Sequence, residues 1–134
     1  GGGGNDGGGG GSSYVPPVSG LAGAAIQAAM SQQGKPYRYA TAGPSTYDCS
    51  GLTHYAWGAA GIYLPRNSRA QQASVPNVPI SAAQPGDLIF YYSPISHVGI
   101  YLGDGMLVHA PATGDVVKVS SVSWNKVTAV GRPG

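Results

Sequence analysis

One cysteine stands in the sequence, and two of the three histidines lie close together well downstream of it. A thiol and an imidazole are the parts from which nucleophilic hydrolysis is built, because the sulfur attacks while the ring takes up and returns the proton. Cys49 occurs in Asp48-Cys49-Ser50-Gly51, with polar neighbours and a small residue behind it. Free cysteines are commonly buried and inert, but these flanks do not resemble the middle of an apolar face. Asp48 is a capping residue type, so Cys49 is expected in the first turn of a helix, where the dipole favours a thiolate. With no second cysteine, an intramolecular disulfide and a multi-cysteine zinc site are both excluded.

His97 and His109 flank Gly103-Asp104-Gly105, a strong hairpin signal. A turn centred on Asp104 sets Leu102 opposite Met106, Gly99 opposite His109 and Val98 opposite Ala110. His97 and His109 then occupy one face, two steps apart and within side-chain reach. That layout gives a general base, His97, and a second group, His109, that orients it. His54 lies five residues into the cysteine-bearing helix and reads as a surface or packing histidine. A zinc site would need a third ligand, for which Asp87 and Asp104 are the candidates. Asp104 is at the far end of the hairpin from His97 and Asp87 begins a strand, so neither metal nor cofactor is expected.

These side chains need a scaffold, and 134 residues with 42% hydrophobic content allow one domain with one core. Charged residues make up only 9%, so packing must carry the stability rather than ion pairs. A net charge of +2 with scattered basic residues leaves no footprint for nucleic acid. No apolar run is long enough to span a membrane and no signal peptide is visible, so any export signal is expected upstream. Residues 1–13, mostly glycine, read as a flexible tether and 14–19 as an extended lead-in. Leu21, Ala25, Ile26, Ala29 and Met30 fall at helical spacing after Ser19 or Gly20, ending at Gly34 and Pro36. Cys49 to Ala60 forms a second helix closed by Gly61. Strands are expected over 87–92, 97–102, 106–110, 116–119 and 127–130. The expectation is an α+β domain over 20–134, with N-terminal helices packed on an antiparallel sheet of about five strands.

Several blocks, in order, resemble the NlpC family of papain-like cell-wall peptidases. They are Gly34-Lys35-Pro36-Tyr37, Asp48-Cys49-Ser50-Gly51-Leu52, Leu64-Pro65-Arg66-Asn67-Ser68 with Gln71, Gln84-Pro85-Gly86-Asp87-Leu88-Ile89-Phe90, Ser96-His97-Val98-Gly99-Ile100-Tyr101-Leu102-Gly103 and Met106-Leu107-Val108-His109-Ala110. The text is especially similar to mycobacterial Rip-type peptidoglycan endopeptidases. The resemblance implies a papain-like catalytic domain, secreted and cell-wall-associated, with Cys49, His97 and His109 as its catalytic residues. Tyr37 would help stabilise the oxyanion, and Asp48 and Ser50 would line the subsite for the acyl side of a peptidoglycan stem peptide. Arg66 and Ser68 either contact substrate or only begin a helix. The implied reaction is cleavage between D-glutamate, or its amide, and meso-diaminopimelate by a monomeric enzyme. A CHAP-like amidase and a catalytically silent wall-binding module are the alternatives. Relatives often read Tyr-x-Trp-Gly-Gly after the proline, whereas Tyr37-Arg38-Tyr39-Ala40-Thr41 lacks both glycines, which leaves that loop's conformation open.

Overall fold

The computed structural model describes residues 18–134, so the expected tether and most of the lead-in lie outside the described residues. Helix α1 spans Gly20–Met30 and buries Ala25, Ile26, Ala29 and Met30, four of the five apolar positions that suggested it, whereas Leu21 is exposed. Helix α2 spans Cys49–Ala59, and the Asp48 side chain caps it by accepting from the Gly51 N–H. The two helices pack on each other, and α2 lies against the sheet.

Six strands form the sheet: β1 (Asn77–Val78), β2 (Leu88–Tyr91), β3 (His97–Gly103), β4 (Met106–His109), β5 (Lys118–Ser121) and β6 (Val127–Gly131). Their order is β1-β6-β2-β3-β4-β5, with every pair antiparallel. The expectation of about five strands omitted β1, which has two residues between Pro76 and Pro79 and therefore shows no alternation. The expectation of two helices omitted α3 (Ser68–Ser74), seven residues capped by the Asn67 side chain accepting from the Ala70 N–H. Its mostly polar sequence carries no 3.6-residue apolar period.

Leu88, Phe90, Val98, Ile100 and Val108 face the helices and meet Ile26, Leu52 and Trp57 in the main core. The opposite face carries a smaller cluster of Ile89, Tyr91, Tyr101, Leu107, Val122, Val127 and Val130. Strand β2 is consequently buried at all four positions, and its run Leu-Ile-Phe-Tyr is apolar on both faces. Burying a side chain of this size contributes about 1.5–3 kcal/mol, so the two clusters outweigh the few ion pairs.

Asp87 belongs to this scaffold. Its carboxylate is almost wholly buried and accepts from Arg132 Nε at 3.0 Å, Arg132 Nη2 at 2.9 Å and the Gln84 N–H at 2.8 Å. The pair ties the chain after β6 to the start of β2, and Trp57 Nε1 donates to the neighbouring Gly86 carbonyl at 3.2 Å. Because Arg132 is partly exposed and Asp87 is not, the two partners are unequal when one is removed. Arg132→Ala leaves a buried carboxylate without its counter-ion, whereas Asp87→Ala leaves a guanidinium that water can reach. Urea unfolding at neutral pH is expected to show a loss of about 3 kcal/mol for Arg132→Ala and a smaller loss for Asp87→Ala; the reverse order would refute this account of the pair.

Candidate active site

Each residue of Asp48-Cys49-Ser50-Gly51 has a separate physical task. Asp48 is 7% exposed and its two oxygens are fully engaged. Oδ1 accepts from the Gly51 N–H at 2.7 Å and Arg66 Nη1 at 3.0 Å, while Oδ2 accepts from the Ala40 N–H at 2.8 Å and Arg66 Nη2 at 2.8 Å. The guanidinium thus meets the carboxylate fork to fork. Ser50 Oγ donates to the Arg66 carbonyl at 2.9 Å and accepts from Arg66 Nη1 at 3.1 Å. Gly51 permits the helix to start against the preceding loop, for a Cβ there would lie 2.0 Å from the Thr41 carbonyl oxygen. Gln71, wholly buried on α3, donates to the Ser50 and Pro65 carbonyls and accepts from Thr53 Oγ1. Sequence reasoning placed Gln71 in a motif without a role; the structure makes it the tie between α2, α3 and the segment carrying Arg66. Ser68 opens α3, buried next to the capping Asn67.

The loop that lacks the two glycines keeps a glycine-like backbone. Ala40 has φ 64°, in the left-handed region that costs a residue with a Cβ about 1–2 kcal/mol. In that conformation its N–H donates to Asp48 Oδ2 at 2.8 Å, and the bond holds the loop against the start of α2.

Cys49 is the first residue of α2, half-buried, and faces the start of β3. Burial pushes its thiol above the usual value and the charge of Asp48 adds to this, while backbone N–H groups of Val98, Ser50 and Cys49 itself pull the other way. The helix start was expected to lower the thiol. Burial and the adjacent carboxylate outweigh those N–H groups, and the net direction is upward. Tyr37 is half-buried beside it. Burial is the main cause that raises its hydroxyl, and the Asp48 carboxylate adds to it, which leaves it protonated and able to donate.

The hairpin assembles the imidazoles. Ile100 pairs with Val108 and Tyr101 with Leu107, as the turn predicted, but a bulge sets Gly103 rather than Leu102 opposite Met106. Asp104, at φ 53°, and Gly105, at φ 75°, supply the left-handed turn that this needs. Outward from the bulge the register continues to Gly99, where a Cβ would stand 3.1 Å from His109 Cβ and 2.4 Å from Leu107 Cδ1. The missing side chain at 99 lets His109 lean across to His97, and His97 Nε2 meets His109 Nδ1 at 2.8 Å. His109 Nε2 in turn lies 3.0 Å from Ser120 Oγ. The Tyr91 ring stacks on His97 with centroids 5.5 Å apart and planes at 23°. Neither Ser120 nor Tyr91 was singled out from the sequence.

Both rings are held far below the ordinary histidine value, each to about 4. Burial is the main cause in both, joined by His109 for His97 and by Lys118 for His109. At neutral pH the pair is uncharged. His54 stands apart, its Nδ1 2.6 Å from the Leu64 carbonyl and its ring edge-on to Tyr63, a packing histidine as expected. Asp87 is committed to Arg132 and Asp104 to the turn. Among the described residues no group of three or more His, Cys, Asp or Glu side chains is placed to hold a metal.

A thiol at a helix start, facing a strand that carries a histidine oriented by a second polar side chain, defines the papain-like class of folds and thiol sites. The chain belongs to the NlpC/P60 family, whose model matches residues 34–132. It is 46% identical over 96 residues to a protein of Mycobacterium tuberculosis named as a probable endopeptidase, an alignment covering 72% of this chain and 25% of that protein. It is also 46% identical over 106 residues to the probable endopeptidase p60 of Listeria monocytogenes, covering 75% of this chain and 22% of the relative. Among solved structures, the peptidoglycan hydrolase RipB of Mycobacterium tuberculosis superposes with a TM-score of 0.79 at 33% identity, covering 84% of this chain and 62% of that one. A Bacillus cereus NlpC/P60 family protein superposes with a TM-score of 0.80 at 28% identity, covering 89% and 41%. The chain therefore spans about a quarter of the length of the curated relatives it matches.

Two outcomes follow from this geometry. Ala40→Gly relieves the left-handed strain but adds unfolded-state entropy, so a net gain of about 0.5–1 kcal/mol is expected in urea unfolding; a loss would mean that Ala40 is not held in that conformation. The histidine pair works in the opposite sense. Folded values near 4 against an unfolded value near 6.5 mean that the unfolded chain binds more protons in between. Stability should fall as pH drops from about 7 to 5, and the double variant His97→Gln/His109→Gln should flatten that slope. An unchanged slope would show that the rings are not buried as neutral groups.

Proposed function

We propose that the chain is the catalytic domain of a secreted peptidoglycan hydrolase, a cysteine endopeptidase acting on stem peptides. The observation that carries this reading is the 2.8 Å contact between His97 Nε2 and His109 Nδ1 on the strand pair that Cys49 faces. A proton on His97 Nε2, donated to His109, leaves His97 Nδ1 as an unprotonated base on the side of the thiol. The names of the relatives, endopeptidases and a peptidoglycan hydrolase, support the substrate class.

Because both the thiol and the imidazole rest neutral, attack and proton transfer are coupled. As sulfur bonds to the scissile carbonyl carbon, its proton passes to His97, and the carbonyl oxygen takes the negative charge. Tyr37 and backbone N–H groups at the start of α2 stabilise that oxygen. His97 then gives the proton to the departing amine as the C–N bond breaks. Water, deprotonated by the same ring, hydrolyses the thioester and frees the thiol. His109 accepts from His97 throughout, and Tyr91 holds the ring plane from one face.

Asp48, Ser50 and Arg66 form the wall of the acyl-side subsite. Asp48 has no spare acceptor, so its effect on substrate runs through the position of Arg66 and of the loop at 38–41. The bond cut is proposed to be that between D-glutamate, or D-isoglutamine, and meso-diaminopimelate, and the enzyme to act as a monomer outside the cell. No described helix is long and apolar enough to cross a membrane.

Digestion of purified peptidoglycan followed by mass spectrometry tests the reading. Fragments that begin with diaminopimelate are expected. Cys49→Ala should retain less than about a hundredth of wild-type turnover while still binding the wall, and His97→Ala should be as damaging. His109→Gln, which can still accept from His97, should keep measurable activity. Release of whole stems from muramic acid would mark an amidase instead, and binding without cleavage a silent module.

A further inference from the structure

We propose that Ser120 is a positioning residue, which pins the His109 ring by accepting from its Nε2–H and so keeps His109 Nδ1 turned to His97 as an acceptor. This inference rests on the catalytic reading of Cys49, His97 and His109. A histidine in the orienting position poses a problem that a carboxylate or an amide oxygen would not, since its two nitrogens carry one proton between them. If the proton sits on His109 Nδ1, that nitrogen donates to His97 Nε2. His97 must then carry its own proton on Nδ1, where it no longer serves as a base toward the thiol. Only the tautomer with the proton on His109 Nε2 leaves the pair productive, and that N–H needs an acceptor.

Ser120 Oγ stands 3.0 Å from that nitrogen. Strand β5 presents two residues on this side, because His109 pairs with Lys118 and Leu107 with Ser120. Lys118 cannot accept, and its ammonium is committed to Asp115 at 2.9 Å. The neighbouring Ser121 is exposed and its hydroxyl faces Met106 Sδ at 3.7 Å. His109 itself is 9% exposed, so an Nε2–H deprived of Ser120 would lack a partner in a largely dry site. The bond also resists a flip of the His109 ring about its χ2 axis, which would bring carbon rather than Nδ1 opposite His97. As His97 gains a proton during attack, its bond to His109 strengthens, and the bond from His109 to Ser120 strengthens with it. The effect therefore belongs to the turnover step.

Three variants and one spectrum test this. With a soluble stem-tetrapeptide substrate, Ser120→Ala is expected to lower kcat about tenfold with KM within about twofold, and Ser120→Thr, which keeps the hydroxyl, to recover most of the loss. Thermal unfolding of Ser120→Ala should show a midpoint a few degrees below the wild type, because the His109 Nε2–H is left without a partner, with the chain still folded at the assay temperature. Nitrogen-15 NMR of the wild-type chain with labelled histidine should place the His109 proton on Nε2, and Ser120→Ala should lose that slowly exchanging N–H signal. A Ser120→Ala kcat within twofold of wild type, or a wild-type His109 proton on Nδ1, would overturn the proposal even if Ser120→Ala folded poorly. Cys49→Ala separates the two levels. If it is inactive while Ser120→Ala is fully active, only the role of Ser120 fails; if it remains active, the catalytic reading itself fails.

Discussion

The Asp48 carboxylate receives two backbone N–H groups and both prongs of the Arg66 guanidinium, and three separate pieces of chain depend on it. One of those N–H groups belongs to α2, so the carboxylate defines where that helix begins and hence where the Cys49 sulfur points. The other belongs to Ala40, in a conformation that an alanine does not adopt unaided. Arg66 brings the segment before α3, which Gln71 and Ser50 then fasten from the far side. An acceptor so fully used cannot yield one partner without disturbing the others. Asp48 thus acts by fixing the positions of its neighbours, and a neutral isostere would give up the fork with Arg66 first.

The hairpin solves the complementary problem of bringing two rings into contact across a sheet. His109 lies beside residue 99 across the hairpin, and Gly99 leaves room there for its ring to reach His97. A short glycine-rich turn sets the register, a bulge displaces it by one step at the turn end, and the pairing beyond the bulge is regular. The register that brings the rings together is therefore controlled by residues 103–105, remote from both histidines. The turn that sets this register lies within the hairpin itself.

That locality explains which parts were legible in the sequence. The capping aspartate, the small Gly51 and the apolar spacing marked both long helices, and the turn at Gly103-Asp104-Gly105 marked the hairpin and the face shared by the histidines. The residues that escaped lack any local signal. In Lys118-Val119-Ser120-Ser121 nothing distinguishes the serine that meets His109 from the one that meets Met106, because a shift of one residue exchanges their faces. Strand β1 is too short to alternate, and α3 too polar to show a period. Gln71 appeared as a motif residue, but its three bonds run to residues that only the folded chain brings near. The direction of the thiol's shift was hidden for the same reason: a helix start argues one way, and the burial that overrides it is a property of the folded chain.

The protonated state of Cys49 bears on chemical durability. Peroxides and disulfides react with thiolates far faster than with thiols, so the burial that raises the Cys49 thiol makes it a slower target for either. The chain holds no second cysteine with which an oxidised sulfur could close a protective bridge. An oxidised Cys49 would find no resolving thiol within this chain, and the burial that raises its thiol slows its arrival there.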